Sequence, residues 1–117
     1  MKISEIKAAL KAELLVGEDQ LDKNIVAAGG ADLMADVLSA VAQEAVLLTG
    51  LTTEQVLRTA QISDVGCVVF VRGKKPDEKV LDMARTFNMP VLLTEYSLFV
   101  ASGRLYINGL RGLDGSW

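Results

Sequence analysis

The chain has 117 residues, half of them apolar, with a net charge of −3, no histidine and a single cysteine. That length allows one domain with a real core, and the acidic balance, at a sequence pI of about 4.9, disfavours non-specific binding to nucleic acid or an anionic membrane. Zinc sites, Ser-His-Asp and Cys-His nucleophiles and histidine general-base catalysis are excluded, and neither Gly-x-x-x-x-Gly-Lys-Ser/Thr nor Gly-x-Gly-x-x-Gly is present.

From the start, Met1 to Val16 alternates charged and apolar residues. It lacks the charged-then-apolar pattern of a signal, and no apolar run approaches about 20 residues, so a soluble, cytoplasmic protein is expected. Ile3, Ile6 and Leu10 recur at helical spacing, with Ser4 as a possible cap. Leu14 to Val16 makes a brief strand ended by Gly17, and a polar turn over Glu18–Asn24 leads to a second strand, Ile25–Ala28, closed by Gly29-Gly30. Ala31–Ala42 reads as a helix, with Leu33, Val37 and Val41 on one row, Met34 and Leu38 on the next, and Asp32 and Asp36 near its start. Ala45–Leu48 is a strand. Thr52 or Thr53 caps the helix that buries Val56, Leu57 and Ala60, with Gln55 in capping-box position.

Asp64 to Val71 is the central stretch. Its apolar run without polar alternation fits a strand covered on both faces, and it makes Cys67 a buried, inert thiol. After Arg72-Gly73-Lys74-Lys75, Pro76 fits the first turn of a helix reaching Phe87, with Asp77 and Glu78 complementing its positive end. Asn88 ends that helix and Pro90 opens the strand Val91–Leu93. A last helix follows Thr94–Ser97, with Leu98, Phe99, Ser102, Leu105 and Tyr106 inward and Gly109 as its stop. The domain is therefore placed at residues 1–110, with 111–117 as a loose tail.

Strand and helix alternate from Ile25 onward, which implies parallel strands joined by right-handed crossovers. The expected fold is an α/β/α three-layer sandwich with a mainly parallel sheet of four to five strands. In such folds ligands bind outside the carboxyl ends of the strands. The connections at that edge contain Gly30, Asp32, Thr49, Gly50, Arg72, Gly73, Lys74, Thr94, Tyr96 and Ser97, with Asp36 four residues beyond Asp32. Amides, hydroxyls and the cations suit an anionic or phosphorylated small molecule; Asp32 and Asp36 suit a ribose hydroxyl or a hydrated Mg²⁺. The plainer reading of the same residues is turn glycines, caps, dipole-complementing acids and a solvated basic loop.

Several segments together resemble a free-standing DRTGG domain: Leu21-Asp22-Lys23, Asp32 to Val37, Leu48 to Thr52, Val69 to Pro76 and Pro90 to Phe99. Asp32, Asp36, Gly73, Pro76, Thr94 and Gly103-Arg104-Leu105-Tyr106 fit that pattern. The name-giving residues differ: Asp22-Lys23 stands for Asp-Arg, and Val26-Ala27-Ala28 before Gly29-Gly30 replaces Thr-Gly-Gly. The resemblance extends to domains inserted among CBS domains in pyrophosphatases, to phosphate acetyltransferases and to the N-terminal domain of HPr kinase/phosphorylase. It implies an α/β/α fold and a bacterial regulatory or dimer-forming module rather than a catalyst, without cofactor, with a protein partner in a hydrogenase or signalling setting.

The expected function is thus a non-enzymatic module that self-associates and senses a small anionic or nucleotide-like effector. The apolar last helix, with Val100, Tyr106 and Ile107, is the expected homodimer surface, because it carries more apolar residues than one sheet face covers. The alternative is a small Mg²⁺-dependent phosphohydrolase or transferase that uses Asp32 and Asp36 with Arg72 or Lys74.

Overall fold

The strands Ala45–Thr49 and Cys67–Phe70 are apolar but for Thr49, and every residue in both is buried. Such strands need cover on both faces. A computed structural model describes residues 1–38 and 43–113 of the chain. In it the order is α1 (Ile3–Ala9), β1 (Glu13–Val16), β2 (Ala27–Gly30), α2 (Met34–Leu38), β3 (Ala45–Thr49), α3 (Glu54–Ile62), β4 (Cys67–Phe70), α4 (Glu78–Thr86), β5 (Val91–Leu93) and α5 (Leu98–Ile107). A short 3-10 turn, Glu18–Gln20, lies between β1 and β2.

The sheet is five-stranded in the order β1-β5-β4-β3-β2, with β1 antiparallel to β5 and all other pairs parallel. This is the mainly parallel α/β/α sandwich that the alternation implies. The crossovers from β2 to β5 step one strand at a time in one direction, so their helices share a face. There Met34, Val56, Leu57, Ala60, Val80, Leu81 and Ala84 pack on Leu47, Val68, Phe70 and Val91. The other face is covered by α1 and α5, through Ile3, Ile6, Leu10, Ala101 and Leu105 on Val46, Leu48, Cys67, Val69 and Leu92.

Several boundaries differ from the expectation. Gly29-Gly30 does not close β2 but forms its last two positions, paired with Leu47 and Leu48. Packing over both glycines is close: a Cβ on Gly29 would press on the Leu113 side chain and one on Gly30 would lie 2.9 Å from Leu98 Cδ1, so a side chain at either position obliges a leucine to shift. Ser4 lies inside α1, whose cap is Lys2, with the Lys2 amide donating to Glu5 Oε1 at 2.8 Å. Pro76 precedes the α4 cap, Asp77, which accepts from the Val80 amide. Thr53 caps α3 without a side-chain hydrogen bond.

Helix α2 starts at Met34, leaving Asp32 outside it and Leu33 69% exposed. The side chains of Val37 and Leu38, and residue Val41, lie outside the described residues. Phe99 and Tyr106, expected inward on α5, are exposed, because Ala101 and Leu105 form its buried row. Arg111 and Gly112 run beside β2, with the Ala28 amide donating to the Arg111 carbonyl at 2.8 Å. Among the described residues no helix is long and apolar enough to cross a membrane.

Candidate functional site

Register brings the carboxyl ends of four strands to one level: Gly30 pairs with Leu48, Thr49 with Phe70 and Phe70 with Leu93. The connections carrying Gly30, Asp32, Thr49, Gly50, Arg72, Gly73, Lys74, Thr94, Tyr96 and Ser97 therefore share one edge of the sheet. Asp36 is further along, exposed within α2.

Most polar groups at this edge bind each other. Asp32 Oδ1 accepts from the Gly50 amide at 2.9 Å and from the Thr49 hydroxyl at 3.2 Å, while Thr49 Oγ1 accepts from the Leu51 amide at 3.1 Å. Buried Thr94 donates its hydroxyl to the Leu10 carbonyl at 2.7 Å and accepts from the Tyr96 amide at 3.2 Å. Ser97 caps α5 by accepting from the Val100 amide at 3.2 Å. These hydroxyls set the shape of the edge, as caps and turn braces do.

Arg72 and Lys74 are different. Both are exposed, and neither side chain has a hydrogen-bond or ion-pair partner among the described residues. Arg72 has a left-handed backbone, φ +59°, followed by Gly73 at φ +66°. Its amide donates to the Tyr96 carbonyl and that of Gly73 to the Thr94 carbonyl, both at 2.8 Å. This pair of left-handed residues turns the guanidinium back over the β3 connection, where a Cβ on Gly50 would lie 2.9 Å from Arg72 Nη2. The result is a guanidinium lying over a connection whose Gly50 and Leu51 amides already donate to Asp32 and Thr49, so that the guanidinium supplies the donors open to an anion there. Among the described residues, no three of His, Cys, Asp and Glu come together as a metal-binding group.

Residues outside the sequence-derived set also contribute. Leu10, Lys11 and Glu95 join Thr94 and Tyr96 around a cavity of about 190 Å³ at the β5 end of this edge. Nothing local in the sequence marks Leu10 or Lys11, since they reach the edge through the antiparallel pairing of β1 with β5, which sets Glu13 opposite Leu93, and through the hydrogen bond from Thr94 to Leu10. A larger cavity, about 390 Å³, opens at the opposite edge among Lys23, Glu44, Gln61, Asp64, Phe87 and Asn88. It is open, with exposed polar side chains around a floor of buried Ala60, Val65 and Met89 at the strand amino ends.

Taken together, these features define a small α/β/α domain in which the connections after four strands bring their polar side chains to one edge of the sheet. The chain belongs to the DRTGG domain family: the family model matches residues 5–106. Its fold is similar to the crystal structure of the CBS and DRTGG domains of the regulatory region of Clostridium perfringens pyrophosphatase, complexed with the activator diadenosine tetraphosphate. That likeness has a TM-score of 0.71 at 16% identity and covers 89% of this chain. The chain spans 45% of the length of that structure. No curated protein matches the chain in sequence.

Proposed function

We propose that this chain is a non-catalytic regulatory module that binds a small anionic ligand of nucleotide type at the carboxyl edge of its sheet and acts as a homodimer. The observation that carries this reading is the Arg72 guanidinium, turned over the Gly50 connection with no partner among the described residues, in a frame of satisfied amides and hydroxyls. A cation in that position is available to an incoming phosphate or carboxylate. The pyrophosphatase regulatory region, which pairs a DRTGG domain with CBS domains and is complexed with a nucleotide activator, makes nucleotides the first ligands to test. Asp32, the acid a catalyst would need, already holds two donors of the β3 connection, which weighs toward a structural role. On this reading the second copy of the chain packs on α5, which the exposure of Phe99, Val100, Tyr106 and Ile107 supports.

Calorimetric titration with AMP, ADP, ATP, diadenosine tetraphosphate and inorganic phosphate tests the ligand. Saturable binding that weakens in Arg72→Gln is expected. Absence of binding across that panel defeats the sensor reading and leaves a module that works through protein contacts alone.

A further inference from the structure

Resting on the sensor reading above, we propose that the ligand enters with a nucleobase in the cavity beside Tyr96 and its phosphate toward Arg72. The cavity of about 190 Å³ is lined by Leu10, Lys11, Thr94, Glu95 and Tyr96. It is smaller than the roughly 300–1,000 Å³ of a site enclosing a whole drug-sized ligand. It has room for one flat ring, and the rest of the molecule must leave along the edge.

The walls are held from four directions. The Thr94 hydroxyl binds the Leu10 carbonyl at 2.7 Å, and the Tyr96 amide binds Thr94 Oγ1 at 3.2 Å. Arg104 donates from Nε to the Ala9 carbonyl at 2.6 Å and stands 4.9 Å from the Tyr96 ring centroid, so the cation steadies the ring. The Arg72 amide donates to the Tyr96 carbonyl at 2.8 Å, which ties the ring's residue directly to the residue carrying the free cation. A half-buried aromatic ring fixed in this way is a stacking platform that does not have to be ordered on binding.

The rim adds selectivity. Lys11, at φ +48°, and Glu95 line the cavity with side chains that have no partner among the described residues. Lysine only donates and an ionised carboxylate only accepts. A ring that offers an amino group and a ring-nitrogen acceptor answers both, as adenine does. Neighbouring strands lie about 4.8 Å apart. A base at β5 and a phosphate at β4 or β3 are then about 5–10 Å apart, the span that a ribose bridges.

The test compares AMP with ribose 5-phosphate on the intact chain, in wild type, Tyr96→Leu and Arg72→Gln. Wild type should bind AMP about ten-fold or more tighter than ribose 5-phosphate, the scale of one base stacked on an aromatic ring. Tyr96→Leu should bring AMP down to the level of ribose 5-phosphate and leave the latter unchanged, whereas Arg72→Gln should weaken both. AMP should also shift the Tyr96 ring protons upfield in the NMR spectrum of wild type, a readout that needs no variant. Equal affinity for the two compounds, or unshifted ring protons, overturns the base pocket while anion sensing stands. If neither compound binds and the nucleotide panel also fails, both readings fall together.

Discussion

Asp32 Oδ1 lies 2.9 Å from the Gly50 amide nitrogen, and this bond ties the connection after β2 to the connection after β3 across the edge of the sheet. The same oxygen accepts from the Thr49 hydroxyl at 3.2 Å. Asp32→Ala removes a charged acceptor from two donors in a part-exposed setting, where a loss of about 1 kcal/mol is expected. Asp32→Asn keeps an oxygen in place and should lose less than half of that. Urea midpoints of the two variants check the order. If Asn costs as much as Ala, the negative charge rather than the acceptor geometry matters.

That β2 to β5 run parallel was legible because β3 and β4 are continuous apolar runs and each is followed by a helical stripe, whereas their order in the sheet was not. What the sequence hid lies where distant residues complete the packing. β2 ends in Ala28-Gly29-Gly30, residues with poor strand propensity, and is a strand through its parallel pairing with Ala45 to Leu48 of β3, with Leu113 and Leu98 close above the glycines. Helix α5 is apolar on most of its circumference, so periodicity could not separate the inward Ala101 and Leu105 from the outward Phe99 and Tyr106. At the edge, residue types identified the loops correctly as one surface. Ser97 is the cap that its place before a helix suggests, but residue type could not tell that Thr49 and Thr94 would bind within the protein while the Arg72 and Lys74 side chains find no partner among the described residues.

Gly50 faces Arg72 rather than a strained turn, since only the space above it is restricted. Gly50→Ala would place a Cβ 2.9 Å from Arg72 Nη2, the far end of a flexible side chain that can swing away. Stability should therefore change by no more than about 0.5 kcal/mol, while AMP and phosphate affinity fall several-fold because the guanidinium is displaced. Melting temperature and titration calorimetry read the two effects separately. Large destabilisation with unchanged affinity would mean that Arg72 is fixed by the fold and does not meet the ligand.

Phe99 and Ile107, 86% and 84% exposed, are eight residues apart on α5, with Gly103 between them opening onto empty space. Residues four and eight apart share a helix face, and Val100 and Tyr106 border it with partial exposure. A self-complementary contact on this face is expected to bury the row between two copies. Ile107→Glu should halve the mass measured by light scattering, with the circular dichroism spectrum unchanged. Val100→Glu should do the same more weakly, because Val100 is only 39% exposed. A wild-type protein that already runs at 12.6 kDa ends the dimer proposal.

Cys67 gives the protein an alkaline weakness that its acidic composition does not suggest. Burial in the central strand pushes the thiol from 9.0 up to about 12, with Lys23 pulling slightly the other way. A folded value above the unfolded one favours the folded chain fully below pH 9, where the thiol is neutral in both states. As pH rises from 9 toward 12 the unfolded chain loses the proton first, so stability falls by up to about 1.4 kcal/mol per pH unit. Cys67→Ala lacks this ionisation. It should be less stable than wild type at pH 8, through the small void it leaves, and the gap should narrow steadily above pH 9 in urea titrations. The same burial leaves about one thiol in ten thousand ionised at pH 8, so a thiol reagent such as DTNB should react only as fast as the protein opens. Rapid labelling of the native protein at pH 8 would show that the strand is accessible and that the thiol is not shielded.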